Sequence, residues 1–78
     1  MFIYDDKGLT AVNKDRIRAL YIDRVESAKA YSQEDHDRMD AFYLRAFLGG
    51  RASVILSEVV GVENLPKLTE RMNQITGR

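Results

Sequence analysis

Between Glu34 and Asp40 the chain gathers Glu34, Asp35, His36, Asp37 and Asp40, its only cluster of potential metal ligands and the site of its single histidine. On a helix His36 and Asp40 stand at i and i+4, so one imidazole and a carboxylate could face the same divalent ion. No further ligand is identified elsewhere in the sequence, and solvated surface segments are commonly built from such residues. The expectation is therefore no metal and no cofactor. Nucleophilic catalysis is less favoured still, because there is no cysteine and His36 would have to activate a Ser or Thr with no recognisable motif around it. Any two of the 12 acidic residues could be nominated as an acid–base pair, and nothing singles one pair out. Gly49-Gly50 would cradle phosphate if a helix followed, but the residues that follow read as a strand. The sequence names no reaction, and no enzyme is expected.

The elements that would position such groups are organised around Phe42 to Val60, FYLRAFLGGRASVILSEVV. Two runs rich in β-branched and aromatic residues flank the paired glycines, which accept positive φ without steric cost. A two-residue Gly49-Gly50 loop would put Leu44 and Ala46 on the same face as Ser53 and Ser57. A three-residue Gly49-Gly50-Arg51 loop gathers Leu44, Ala46, Leu48, Ala52, Val54 and Leu56 on one face and is preferred, since register follows the buried side. The other face then carries Tyr43, Arg45, Phe47, Ser53, Ile55, Ser57 and Val59. A competing helix places Met39, Phe42, Tyr43, Ala46 and Phe47 on one stripe, from an N-cap at Ser32 to a stop at Gly49. The β-branched cluster Val54, Ile55, Val59 and Val60 speaks against extending helix through the second half.

With 78 residues the chain reads as one small domain (1–78) whose modest core favours oligomerisation as a source of stability. Twelve basic residues balance twelve acidic ones, so the electrostatic footprint of a duplex-DNA binder is missing and nucleic acid is an unfavoured partner. No apolar run reaches membrane-spanning length and the N-terminus lacks a signal-peptide pattern, so a cytoplasmic protein is expected.

Met1 to Tyr4 and Leu9 to Val12 can form a hairpin across Asp5-Asp6-Lys7-Gly8. Asn13-Lys14-Asp15 is a turn or a helix N-cap. Arg16 to Val25 suits strand or helix, and strand is preferred because the downstream hairpin needs a neighbour. Within Glu26 to Ala41, Ser32 and Asp35 resemble a capping box and place a short helix from Gln33 to about Met39. Beyond Gly61, Leu65, Leu68, Met72 and Ile75 make one helical stripe, with Pro66 in the first turn and Gly77 as the stop. The resulting fold is α+β, an antiparallel four-stranded meander with a C-terminal helix packed on one face. The alternative is a mostly α chain with an N-terminal β-hairpin.

The succession Thr10-Ala11-Val12-Asn13, Ile17 to Ile22, Tyr43 to Leu48, then Val54 to Glu58 before a terminal helix resembles small bacterial and phage-borne ββββα-meander proteins of unknown function. The resemblance covers most of the chain except Glu26 to Ala41, which is longer here, and it brings no active-site residues. It implies at most an accessory protein of a phage or mobile element that blocks a host complex.

If the helix covers Leu44, Ala46, Leu48, Val54 and Leu56, then Tyr21, Tyr43, Arg45, Phe47 and Ile55 remain on the open side. Tyr, Phe and Arg on a contiguous patch are the residues that anchor protein partners. The functional expectation is a non-enzymatic binding module, a homodimer joined through this face or a binder of another protein. Two alternatives accompany it. The segment Glu26 to Ala41 could fold over the patch, or the patch could stack single-stranded nucleic acid, helped by Arg16, Arg18, Arg24, Arg45 and Arg51.

Overall fold

Along the chain run β1 (Phe2–Tyr4), β2 (Ala11–Asn13), β3 (Ala19–Val25), α1 (Gln33–Met39), β4 (Ala41–Gly49), β5 (Ala52–Val60) and α2 (Leu65–Thr76). This is a computed structural model, and it describes residues 1–77. The α+β class, the antiparallel meander and the C-terminal helix are those the sequence implies. Among the described residues the strands number five and are divided: β1 and β2 pair with each other, while β3-β4-β5 form a separate three-stranded sheet. The competing long helix does not form, since α1 ends at Met39 and Ala41 to Gly49 is the central strand. Among the described residues no helix is long and apolar enough to cross a membrane.

The β4–β5 hairpin obeys the alternation of its apolar residues through two irregularities. Arg45, Ala46 and Phe47 pair with Ile55, Val54 and Ser53, the register that a three-residue loop would give. The loop itself is shorter, because Gly49 pairs with Ala52 and only Gly50 and Arg51 turn the chain. An extra residue at Leu48 makes the two arrangements arithmetically equivalent. Gly49 and Gly50 both take positive φ, 103° and 60°, which explains the choice of glycine at this bend.

The second irregularity lies at Leu56, between the pairs Arg45–Ile55 and Leu44–Ser57. A bulge of this kind reverses which face the following residues occupy. Leu56 and Ser57 are consequently both buried, at 1% and 5% exposure, and Val59 packs against the core. Ser57 and Val59, expected on the open face, therefore belong to the covered one. The exchange sends Glu58 outward and Val59 inward opposite Phe42, which favours burial of the apolar side chain.

α2 begins with Pro66 in its first turn and ends at Gly77, which is left-handed (φ 80°) and donates its amide to the Asn73 carbonyl. Its stripe of Leu65, Leu68, Met72 and Ile75 meets Phe42, Leu44, Ala46 and Leu56 in one cluster, joined by Ile3, Ile17, Leu20 and Ile22. The β1–β2 hairpin lies beside α2. Its turn is stapled by the Asp5 carboxylate, which accepts from the amides of Leu9 (2.8 Å) and Thr10 (3.1 Å). The next amide, Asp6, donates to the Leu56 carbonyl at 2.9 Å and fastens the hairpin to the bulge of β5.

The core therefore sits on one side of the three-stranded sheet. Leu44→Ala, which empties a fully buried site, is expected to cost about 2–5 kcal/mol in urea unfolding. Ser57→Ala should instead be neutral or stabilising by up to about 1 kcal/mol, because the buried Ser57 hydroxyl has no hydrogen-bond partner among the described residues.

Candidate functional site: the open face of the three-stranded sheet

Strand alternation fixes which side chains share the uncovered face. Since Phe42, Leu44 and Ala46 point into the core, Ala41, Tyr43, Arg45 and Phe47 point the other way. Pairing to β3 and β5 extends this into rows across three strands. One row is Ala19, Phe47 and Ser53; the next is Tyr21, Arg45 and Ile55. A third is Asp23, Tyr43 and Glu58, and the last is Val25, Ala41 and Val60. All five residues nominated from the sequence, Tyr21, Tyr43, Arg45, Phe47 and Ile55, lie on this one face. Glu58, Val25 and Val60 were not nominated. For the first and last the signal was hidden by the Leu56 bulge, which a pattern of alternating residues does not reveal.

The face is apolar with a small polar centre. Tyr21 and Ile55 are each 41% exposed, Val25 44% and Val60 50%, while Tyr43, Arg45 and Phe47 on the central strand are half-buried by their neighbours. The Arg45 Nε donates to Asp23 Oδ2 at 3.1 Å, and its guanidinium carbon lies 5.7 Å from the Tyr43 ring centroid. The arginine is thus oriented by both a carboxylate and an aromatic ring. Glu58 has no ion-pair partner among the described residues.

Residues 26–40 are fastened to the sheet through Asp40. Its carboxylate is fully buried on the covered side of the sheet. Oδ1 accepts from the Ser27 amide at 2.8 Å and lies 2.9 Å from His36 Nδ1, while Oδ2 accepts from Arg24 Nε at 2.9 Å. The Asp40 carbonyl accepts from the Gly61 amide at 3.0 Å. These bonds tie β3, the loop after it, α1, β4 and the end of β5 at a single point. Gly61 (φ 91°) allows the close approach, since a Cβ there would meet the Arg38 carbonyl at 3.2 Å. Arg24 also lies over the Phe42 ring, 5.2 Å from its centroid, on the core side.

The acidic cluster consequently serves the backbone. Ser32 caps α1 by accepting from the Asp35 amide (3.2 Å), and the Asp35 carboxylate accepts from the Tyr31 amide (3.2 Å) and from Arg38 (2.8 Å). The Tyr31 amide and Arg38 lower the Asp35 pKa. Among the described residues no three His, Asp or Glu side chains converge as a metal site. For Asp40, burial pushes the pKa up, but the Ser27 amide, His36 and Arg24 outweigh it and hold it at about 2.

No protein-family model, curated protein or solved structure matches this chain.

A carboxylate whose pKa is lowered on folding stabilises the fold fully above its unfolded value and loses that contribution as pH falls through the folded one. For Asp40 the window runs from the ordinary 3.8 down to about 2. Asp40→Asn should lower the melting temperature at neutral pH, and should flatten the fall in melting temperature that the native chain shows across that acid window. Thermal unfolding followed by circular dichroism over a pH series reads both effects. A variant that kept the full acid dependence would show that other carboxylates carry it.

Proposed function

We propose that this chain is a small non-enzymatic binding module that associates with a second copy of itself, or with another protein, through the open face of β3-β4-β5. The observation that carries the reading is the row Tyr21–Arg45–Ile55, flanked by Tyr43 and Phe47, in which Tyr21 and Ile55 are exposed. Aromatic side chains beside an arginine already held in place lose little conformational freedom on binding, and such residues dominate the energetics of protein interfaces. The alternation of β4 dedicates its other face to the core, so these residues are not needed for the packing described above.

Single-stranded nucleic acid is the weaker occupant. Of the basic residues suggested for it, Arg45 alone lies on this face, where it is paired with Asp23, and Glu58 adds a second carboxylate. Arg24 is turned to the other side by Asp40 and Asp37. A surface with two carboxylates and one neutralised arginine repels phosphate more than it attracts it.

Tyr43→Asp or Phe47→Asp is expected to convert a self-associated species into a monomer while leaving the helical signal of α2 unchanged. Sedimentation velocity across a concentration series, with circular dichroism on the same samples, measures both. A native chain that remained monomeric at the highest concentrations would reject self-association.

A further inference from the structure

The three-stranded sheet has two edges, and the fold treats them differently. On β5 the ladder is interrupted by the Leu56 bulge, whose carbonyl is taken by the Asp6 amide, and Asp6 is itself held by Arg71 Nε at 3.4 Å. Bulges and covering segments are the usual ways in which a sheet edge is kept from pairing with another chain. On β3 there is no such device. Its seven residues, Ala-Leu-Tyr-Ile-Asp-Arg-Val, include no proline and no bulge against β4. Its two charges are occupied within the chain, Asp23 by Arg45 and Arg24 by Asp40. Among the described residues no other strand pairs with its outer side.

We propose that β3 pairs antiparallel with β3 of a second copy, about a two-fold axis at Ile22, to give a continuous six-stranded sheet. The register follows from charge and parity. Side chains opposite one another in an antiparallel pair lie on the same face, so a two-fold axis perpendicular to the sheet must pass beside a residue and not between two. Centring on Tyr21 sets Arg18 against Arg24 of the second copy, and centring on Asp23 sets Asp23 against itself. Centring on Ile22 overlaps all seven residues of β3. It places Tyr21 across from Asp23, Leu20 across from Arg24, and Arg18 across from Glu26, each twice. Arg18 and Glu26 are both exposed and neither has an ion-pair partner among the described residues; Arg18 lies over Gly49. Cross-strand pairs of opposite charge favour a register, and like charges directly opposite disfavour it.

This contact is distinct from the open face of β3-β4-β5 and joins two such faces edge to edge, placing the two Tyr21–Arg45–Ile55 rows in one surface. The test inverts the charges that select the register. Arg18→Glu and Glu26→Arg, each alone, set like charges opposite one another twice per dimer, and each should weaken the dimer by roughly 10-fold or more at low salt. The double variant Arg18→Glu/Glu26→Arg should return to within about 3-fold of the native value, as a directly opposed pair requires. A cysteine replacing Ile22 supplies a second readout, since the native chain has none and the residue would face its own copy. Mild oxidation should yield a covalent dimer from Ile22→Cys and not from Tyr21→Cys. Single charge variants that associate like the native chain, together with failure of Ile22→Cys to cross-link, would overturn the edge contact. If Tyr43→Asp still dissociated the native species in that event, the open-face reading would stand alone. Loss of association in Arg18→Glu but not in Tyr43→Asp would leave the edge contact standing and remove the face as the self-association surface.

Discussion

The arrangement of this chain depends on the two-residue period of its central strand. Burying Phe42, Leu44 and Ala46 beneath α2 forces Tyr43, Arg45 and Phe47 to the opposite side, because no backbone conformation of a regular strand turns successive side chains the same way. Among the described residues α2 is the one long helix, and it is committed to the first face together with the β1–β2 hairpin. Among the described residues no long helix remains for the second face. That shortage of covering elements, and not any special property of the exposed side chains, is the origin of the candidate interface.

Asp40 enforces this division. A buried carboxylate is stable only when its oxygens are hydrogen-bonded, and here an amide, an imidazole and a guanidinium from three parts of the chain meet that need. The bonds hold α1 to the end of the sheet and to the covered side, where Arg24 and Phe42 lie. Thus the run that looked most like chemistry in the sequence, Glu34 to Asp40, supplies His36 and Asp40 to a structural junction.

Much of this was legible in residue order. The stripe Leu65, Leu68, Met72 and Ile75 specified α2, with Pro66 and Gly77 marking its ends. Ser32 and Asp35 marked α1 because side-chain oxygens near a helix start have few other uses. The alternation of Tyr43, Arg45 and Phe47 placed these three side chains on one side of the central strand. The illegible parts are those where one residue changes parity or where partners are distant in sequence. Bulges at Leu48 and Leu56 leave no local signature, so Ser57 and Val59 were expected on the open face while Glu58 went unnoticed. Asp40 finds Arg24 and Ser27 across 16 and 13 residues, and only the folded chain brings them together.

The central claim is that the rings of Tyr43 and Phe47 meet no part of their own chain above the sheet. Nuclear Overhauser spectroscopy on uniformly labelled protein, paired with an isotope-filtered spectrum of a labelled and unlabelled mixture to separate contacts between molecules, tests this most directly. The account expects cross-peaks from these two rings to side chains of a second molecule, or to solvent-exposed neighbours on β3 and β5 alone. Strong intramolecular cross-peaks from either ring to residues 26–39 would mean that this segment covers the face, and would contradict it.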